Sequence, residues 1–237
     1  MLLDNICGKA KAGRLLAIMG PSGAGKSSLL HALAGKIKYS SKLELSGIRS
    51  LNGERVAGHS LMPGATLIEQ SVAFFPHMTV RETLSFRVEL KLGSHLSPSS
   101  RDDLVEDILD QVGLTKSADT IVGNDKVRGI SGGERKRLSI AVELISSPAV
   151  IMLDEPTSGL DATAATSMMT TLRRMADNGK TIIAVIHQPS QHVFAMFDDL
   201  LLVNEGKLMY MGEVKGVRAH MNLYGCRADP EIGTAGT

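Results

Sequence analysis

The sequence predicts an α/β fold with a mostly parallel sheet. A short apolar run at residues 14–19 ends at a glycine-rich loop, and a helical pattern follows at residues 26–33. Later apolar runs are bounded by polar or turn residues, as expected of strands buried on both faces of a sheet. These runs are residues 149–153, 181–186 and 200–203. A helical pattern at residues 162–176 separates the first two of them, which gives the alternation typical of α/β proteins.

The composition is that of an ordinary globular protein. Hydrophobic residues make up 43% of the 237 residues and charged residues 22%, which excludes a disordered or fibrous chain. A formal net charge of +1, 3% aromatic residues and no Trp predict no nucleic-acid partner. Cys7 and Cys226 are expected to be reduced thiols rather than a disulfide or a metal site. We expect neither a signal peptide nor a transmembrane domain, because no apolar run approaches the roughly 20 residues that a bilayer requires.

The loop at residues 20–27 (GPSGAGKS) has the pattern G-x-x-x-x-G-K-[ST], which binds the phosphates of a nucleoside triphosphate. Its glycines let backbone N–H groups surround the phosphates, and the positive end of the following helix attracts them. Lys26 is expected to add a point charge and Ser27 a ligand for Mg²⁺. Because a strand precedes the loop and a helix follows it, the pattern predicts a P-loop NTPase rather than a structural turn.

Two adjacent carboxylates follow the strand predicted at residues 149–153. In P-loop folds an acid at this place holds the Mg²⁺ shell, which assigns Asp154 to the metal. Glu155 is then available to take a proton from an attacking water. The alternative is that Asp154 only ends a strand and Pro156 only begins a turn, which the nearby motifs make improbable.

A second anion-binding turn is predicted at Ser131, Gly132, Gly133 and Glu134, ahead of a long helical pattern. The serine and the glutamate have the spacing of a capping box at a helix N-terminus. An ordinary cap does not explain two consecutive glycines, which weaken a helix and permit a phosphate to approach closely. The turn therefore predicts a second phosphate-contacting surface, which is useful where two copies face each other.

Helical patterns dominate the middle of the chain. Helices are predicted at residues 80–90 and 101–112, and Ser100 with Asp103 is interpreted as the capping box of the second one. The cations at residues 135–137 are interpreted as a solvated helix face.

These patterns divide the chain into a core domain and an inserted α-helical subdomain. The insertion is predicted at residues 76–147, between two parts of the core at residues 1–75 and 148–237. The second part of the core is predicted to contain a β-hairpin whose turn lies at residues 204–206.

Taken in order, the motifs resemble the nucleotide-binding domain of an ATP-binding-cassette (ABC) transporter. The details are similar to subfamily G, the White and breast-cancer-resistance type of half-transporter, and the similarity covers nearly the whole chain. The segments that carry it are residues 79–84 (TVRETL), 128–137 (RGISGGERKR), 154–161 (DEPTSGLD) and 187–190 (HQPS).

The resemblance implies a RecA-like P-loop core that binds ATP with Mg²⁺ and hydrolyses it. Gln70 matches the glutamine that senses Mg²⁺ and the attacking water, and His187 matches the switch histidine that contacts the γ-phosphate. The expected catalytic residues are Glu155, His187 and Gln70, and the expected metal ligands are Ser27, Gln70 and Asp154. The expected nucleotide-contacting residues are Gly20, Pro21, Ser22, Gly23, Ala24, Gly25, Lys26, Ser27, Ser28, Ser131, Gly132, Gly133, Glu134 and Asp161.

The resemblance also implies partners. Two such domains would hold two ATP molecules head to tail, and a transmembrane domain would use their movement to export a hydrophobic or lipid-like substrate. The chain is therefore expected on the cytoplasmic side of a membrane. Two departures from the family stand out: no aromatic residue precedes Gly20 to stack on adenine, and the sequence stops soon after Cys226. We therefore expect the chain to be part of a longer transporter.

Three alternatives remain at this point. A soluble ABC ATPase acting in translation, DNA repair or cluster assembly would usually have tandem cassettes or coiled-coil insertions, and neither pattern occurs here. A P-loop kinase or transferase would have no use for the Ser131 turn. A regulatory cassette that does not hydrolyse ATP is disfavoured by Glu155 and His187.

Overall fold

The computed structural model describes residues 2–37, 44–57, 60–70, 72–93 and 95–225, and it has the predicted α/β architecture. The strands are β1 Leu15–Met19, β2 Arg49–Leu51, β3 Glu54–Val56, β4 Ala65–Ile68, β5 Val150–Asp154, β6 Thr181–Val185, β7 Asp199–Asn204 and β8 Lys207–Glu213. The helices are α1 Lys26–Ala34, α2 Val80–Leu92, α3 Pro98–Val112, α4 Gly132–Leu144, α5 Ala162–Asp177, α6 Gln191–Phe194 and α7 Val217–Leu223.

A six-stranded sheet with the order β4-β5-β6-β1-β7-β8 forms the centre of the fold. The first five strands of this order are parallel to their neighbours, and β8 is antiparallel to β7 as the second arm of the predicted hairpin. Because the carboxyl ends of parallel strands lie at one edge, the loops after β1, β5 and β6 meet there. These loops contain the predicted phosphate loop and the predicted residues Asp154, Glu155 and His187, whereas Gln70 follows β4 and the Ser131 turn begins α4.

Both faces of the sheet are covered by apolar side chains. On β1, Leu15 and Ala17 belong to the cluster under α2 to α5, whereas Leu16 and Ile18 belong to the cluster under α1. The same alternation occurs on β5 and β6. Continuous apolar runs in the sequence therefore mark strands that are buried on two sides, as predicted.

The helices predicted in the middle of the chain are present, but the start of α3 differs from its prediction. Ser97 is the N-cap, and its hydroxyl accepts a hydrogen bond from the backbone N–H of Ser100 at 3.2 Å. The assignment of the cap to Ser100 and Asp103 was therefore wrong. Pro98 explains the earlier start, because proline has a φ suited to the first helical position and no N–H that requires a partner there.

Among the strands and helices named above for the described residues, five have no predicted counterpart: β2 and β3, which form a hairpin, β4, α6 and α7. The hairpin turns at Asn52 and Gly53, whose φ angles of 52° and 88° suit the tight turn that Asn-Gly favours.

Other expectations concern the cysteines and membrane spans. Cys7 is an exposed free thiol, and Cys226 lies outside the described residues. In the part of the chain that the structure describes, no helix combines the length and the apolar character needed to cross a bilayer.

Candidate nucleotide-binding site

The predicted phosphate loop connects β1 to α1. A Cβ atom on Gly20 would lie 2.0 Å from the carbonyl oxygen of Val203, so only glycine fits where the loop leaves the sheet. Gly25 is the N-cap of α1 with a left-handed φ of 97°, and no side chain caps the helix. The N–H groups at the start of α1 are therefore not used by a side-chain cap and can face an anion.

Lys26 lies within this loop. Its side chain is only 6% exposed, and its ammonium donates hydrogen bonds to the carbonyl oxygens of Gly20 at 3.0 Å and Pro21 at 2.8 Å. A buried ammonium needs such acceptors because burial penalises an unpaired charge. The loop thus holds a positive charge beside the free N–H groups of α1.

Ser27 and Asp154 come together although 127 residues separate them in the sequence. The hydroxyl of Ser27 donates to the carboxylate of Asp154 at 2.9 Å, because α1 begins beside the end of β5. His31, one helical turn after Ser27, places its Nε2 4.0 Å from the same carboxylate. His31 was not among the predicted site residues, although its i,i+4 spacing from Ser27 could have indicated it.

This pair of residues fits a magnesium ion coordinated with phosphates. Magnesium is commonly held in phosphate sites by one or two protein oxygens, with phosphate and water oxygens completing its shell. Within the described residues, no group of three or more His, Cys, Asp and Glu side chains could hold a metal on its own. A hydroxyl and a carboxylate at hydrogen-bond distance are the kind of incomplete ligand set that a nucleotide-bound metal requires.

Glu155 follows β5 directly and contacts Gln70, which follows β4. The amide nitrogen of Gln70 donates to the carboxylate of Glu155 at 2.7 Å. Glu155 has a φ of 49°, a left-handed conformation that costs a residue other than glycine on the order of 1–3 kcal/mol. Its N–H donates to Val185 at 3.1 Å, and its carbonyl accepts from the N–H of Ser158 at 3.1 Å. These bonds hold the carboxylate in a fixed turn.

His187 follows β6 and lines, together with Glu155, a cleft of about 300 Å³. The cleft is lined by Glu155, Thr157, Ser158, Gly159, His187 and Gln188. The imidazole is exposed, and the next residue, Gln188, has a left-handed φ of 42°. The histidine predicted from the sequence therefore shares one cavity with the predicted base.

The Ser131 turn begins α4 with the predicted capping box. The hydroxyl of Ser131 accepts from the N–H of Glu134, and the carboxylate of Glu134 accepts from the N–H of Ser131 at 2.8 Å. The hydroxyl of Ser117 also donates to this carboxylate. Burial opposes ionisation of Glu134, but the hydrogen bonds from Ser117 and Ser131 outweigh it, so the pKa of this carboxyl lies below its ordinary value. The turn is therefore held in one conformation by an ionised glutamate.

The two glycines of the turn differ in their surroundings. A Cβ atom on Gly133 would lie 3.2 Å from the Cβ of Ala164, so close packing against α5 accounts for this glycine. A Cβ atom on Gly132 would meet only Leu160, at 4.0 Å, and Gly132 is exposed. Packing thus explains the second glycine but not the first.

Asp161 is the N-cap of α5. Its carboxylate accepts a hydrogen bond from the N–H of Ala164 at 2.8 Å. Asp161 therefore begins a helix in this structure. The predicted contact of Asp161 with nucleotide stays a prediction.

The cations after the turn are not a solvated face, and that interpretation was wrong. Arg135 donates to the carbonyl oxygens of Val122 at 3.0 Å and Gly123 at 2.8 Å. Lys136 donates to the carbonyl oxygen of Glu155 at 3.2 Å and to that of Ser158. Burial lowers the pKa of the Lys136 ammonium, and the charge of Glu155 opposes that shift. The basic run therefore binds α4 to two neighbouring loops.

The structure brings most predicted site residues to one edge of the sheet. Ser27 contacts Asp154, Gln70 contacts Glu155, and Glu155 shares the cleft with His187. Lys26 lies next to Ser27 in the phosphate loop. Of the remaining loop residues, Pro21, Ser22 and Gly23 are exposed, Ser28 is half-buried and Ala24 is buried. The Ser131 turn lies instead beside Leu160 and Ala164.

Comparisons with known proteins identify the family and the fold. A family model described as ABC transporter matches residues 3–158. ABC transporter G family member 7 of Arabidopsis thaliana is 51% identical over 211 residues, which cover 89% of this chain and 29% of the relative. ABC transporter G family member 1 of Dictyostelium discoideum is 42% identical over 226 residues, which cover 94% of this chain and 28% of the relative. The chain thus spans under a third of the length of these curated relatives.

A solved structure gives the same fold. It is the ADP conformation of an ATP-binding cassette of an ABC transporter, with a TM-score of 0.72 and 22% identity, covering 94% of this chain and 92% of the other. The fold and the site define a P-loop nucleotide hydrolase with an α/β core. The chain belongs to the ABC transporter family, and its relatives place it in the G group as an ATP-hydrolysing cassette.

Proposed function

We propose that two cassettes of this type pair head to tail around two ATP molecules, and that hydrolysis at each site releases the pair. In each site the phosphate loop of one protomer would face the Ser131 turn of the other. The closed pair would be favoured by ATP because ATP contacts both protomers only in that state. Loss of the γ-phosphate would remove the shared contact.

The observation that carries the hydrolytic part of this proposal is the convergence of two hydrogen bonds at one edge of the sheet. Ser27 to Asp154, at 2.9 Å, joins the phosphate loop to the proposed metal ligand. Gln70 to Glu155, at 2.7 Å, joins a separate strand end to the proposed base. A purely structural glycine loop would need neither pair.

Each residue then has a role in hydrolysis. Lys26 would bind the β- and γ-phosphates together with the N–H groups of the loop, and Glu155 would accept a proton from the attacking water. Gln70 would orient that water, and His187 would contact the γ-phosphate from the other side of the cleft. Magnesium, held by Ser27, Gln70 and Asp154, would supply positive charge to the phosphate oxygens.

The Ser131 turn is the proposed second half of each site. Its exposed serine and Gly132 are at the N-terminus of a 13-residue helix, whose positive end attracts an anion. Packing does not explain Gly132, so room for the approach of the partner's nucleotide is the proposed reason for that glycine. Asp161 and the loop before it would cross the same interface.

The larger context is also a proposal. As part of a G-type transporter, the chain would lie on the cytoplasmic side of a membrane and drive a transmembrane domain that exports a hydrophobic or lipid-like substrate. In this proposal residues 76–147 form the inserted helical subdomain and residues 1–75 and 148–237 form the core. The G-family relatives and the three helices between β4 and β5 support this assignment.

The test is the rate of phosphate release from Mg²⁺-ATP as a function of protein concentration. Shared sites predict that the rate per protomer rises with concentration and then saturates, because only pairs hydrolyse ATP. A Lys26→Ala chain serves as the inactive control. A rate per protomer that stays constant down to nanomolar concentration, with light scattering showing monomers, would contradict the paired site.

A further inference from the structure

The contacts of Lys136 connect two parts of the site that lie far apart in the sequence. Lys136 is in the second turn of α4, three residues after Gly133. Its ammonium reaches across to the carbonyl oxygens of Glu155, at 3.2 Å, and Ser158. The helix that begins at the Ser131 turn is therefore hydrogen-bonded to the backbone of the proposed base.

The turn that Lys136 holds determines where the carboxylate of Glu155 points. On one side, the N–H of Glu155 is bonded to Val185 of β6 at 3.1 Å. On the other side, its carbonyl oxygen accepts from Lys136 and from the N–H of Ser158. Glu155 keeps a left-handed φ of 49° between these two anchors. Without the ammonium, the second anchor is reduced to one bond within the turn itself.

We propose that Lys136 is a positioning residue for ATP hydrolysis, which fixes Glu155 from the helix that carries the Ser131 turn. This inference rests on the proposed head-to-tail pair. In that pair the Ser131 turn of a protomer would contact the nucleotide on its partner, whereas Glu155 would serve the nucleotide on its own phosphate loop. Lys136 is then a link within one chain between the two ATP sites.

Electrostatics supports a specific role for a cation at this position. The side chain is half-buried, and burial favours loss of its proton, so an ammonium there must be stabilised by its surroundings. Two carbonyl oxygens and the charge of Glu155 provide that stabilisation. Methionine would keep the length of the side chain and remove both hydrogen bonds.

Arg135 provides a matched control on the same helix. Like Lys136, it is half-buried and donates to two backbone carbonyl oxygens, but these belong to Val122 and Gly123 in the loop before the turn. Arg135→Met therefore removes the same kind of contact without touching the Glu155 turn.

The first test compares steady-state ATP hydrolysis by wild type, Lys136→Met, Lys136→Arg and Arg135→Met. We expect Lys136→Met to lower kcat roughly 10- to 100-fold, because a small displacement of a reacting group has effects of this size. KM for ATP and ATP-dependent pairing should stay near wild type, since the phosphate loop and the Ser131 turn keep their contacts. Arginine, which retains the donors, should restore most of kcat.

The second test uses mixed dimers purified through two affinity tags, in which one protomer carries Glu155→Gln. Only the other protomer's site can then turn over at full rate. Lys136→Met placed in the Glu155→Gln protomer should have no further effect, whereas in the other protomer it should lower the remaining rate roughly 10- to 100-fold.

Three results would separate the possible failures. Lys136→Met with wild-type kcat, or a loss of kcat equal to that of Arg135→Met, overturns the positioning role. An effect confined to the Glu155→Gln protomer also overturns it, because Lys136 would then act on the Ser131 turn. If the wild-type chain hydrolyses ATP without pairing, the proposed sandwich fails instead. If Lys136→Met does not fold, Lys136→Gln replaces it, because the amide of glutamine keeps a donor group. The kcat of Lys136→Gln should lie between that of wild type and the value expected of Lys136→Met.

Discussion

The two edges of the central sheet hold charged residues in different ways. At the amino edge, Asp199 is 4% exposed and accepts two hydrogen bonds of 2.7 Å from the guanidinium of Arg14. The adjacent Asp198 accepts from the N–H of Leu15 at 2.8 Å and from Arg173. At the carboxyl edge, the part of the chain that the structure describes gives the Lys26 ammonium carbonyl oxygens of its own loop as partners and the Glu155 carboxylate the amide of Gln70.

The charges at the amino edge therefore serve stability, and those at the carboxyl edge serve function. Charges at the amino edge neutralise one another within the chain, so they have little capacity for a ligand. Charges at the carboxyl edge are bonded to neutral groups, which leaves Lys26, Asp154 and Glu155 able to interact with phosphates, a metal or water. Glu155 and Gln188 have left-handed φ angles at this second edge, but Ser147, before β5 at the amino edge, has one too, so the charges and not the backbone separate the two edges.

The largest expected effect at the carboxyl edge is that of Glu155→Gln. Glutamine keeps the shape and can still bond Gln70, but it cannot accept a proton, so we expect the rate of phosphate release to fall about 10²- to 10⁴-fold. The free energy of unfolding in urea should stay within about 0.5 kcal/mol of wild type. ATP-dependent pairing should persist longer, because the nucleotide is not consumed.

Glu54→Gln is the control for this change, because Glu54 is exposed on β3. Its turnover should equal that of wild type. Wild-type turnover by the Glu155→Gln chain would show that the carboxyl edge has no general base at this position.

At the amino edge, Arg14→Met should have the opposite pattern. It leaves Asp199 buried without its cation, so the free energy of unfolding should fall by roughly 3 kcal/mol. The kcat of the folded fraction should be unchanged. Urea unfolding followed by circular dichroism measures the first quantity, and Arg55→Met, at an exposed position on β3, should show almost no loss. A loss for Arg14→Met as small as that of Arg55→Met would mean that this edge does not stabilise the fold.

The sequence was most informative where a single local rule determines the structure. The strands β1, β5, β6, β7 and β8 were predicted because burial on two faces or a hairpin turn leaves a direct mark in the sequence. β4 was missed, because Thr66 interrupts the apolar run of its four residues. The β2–β3 hairpin was missed although Asn52-Gly53 is a strong turn signal, because its strands are only three residues long.

For the site, the sequence predicted which residues meet but not how they are held. The spacing of residues within a motif does not indicate that Gln70 bonds Glu155, since that contact depends on β4 lying beside β5. The cations after the Ser131 turn were misinterpreted for the same reason. Their acceptors are carbonyl oxygens from distant loops, which only the folded chain brings to α4.

A change in the Ser131 turn should affect both the stability of the fold and ATP-dependent pairing. Thr79 provides the comparison, because it should affect stability alone. Both residues head capping boxes, with Glu134 and Glu82 as their respective partners. Replacing either Ser131 or Thr79 by alanine should lower the free energy of unfolding by about 1 kcal/mol. Only Ser131→Ala should also weaken ATP-dependent pairing, measured by light scattering in the Glu155→Gln background. Equal pairing by the two variants would leave the Ser131 turn with a structural role alone.

The smallest expected effect is the pH dependence at the amino edge. Burial raises the pKa of Asp198, but hydrogen bonds from Leu15 and Arg173 outweigh it and hold that pKa below its ordinary value of 3.8. A carboxyl with a lowered pKa in the folded state stabilises the protein above its ordinary pKa and loses that contribution as pH falls through the folded pKa. Below about pH 3.8, wild type should therefore lose more unfolding free energy than Asp198→Asn. The extra loss should be about 1 kcal/mol, because Asp198 is partly exposed. Asp107→Asn, at an exposed position on α3, should follow wild type, and identical acid limbs for wild type and Asp198→Asn in urea titrations would show that Asp198 does not contribute.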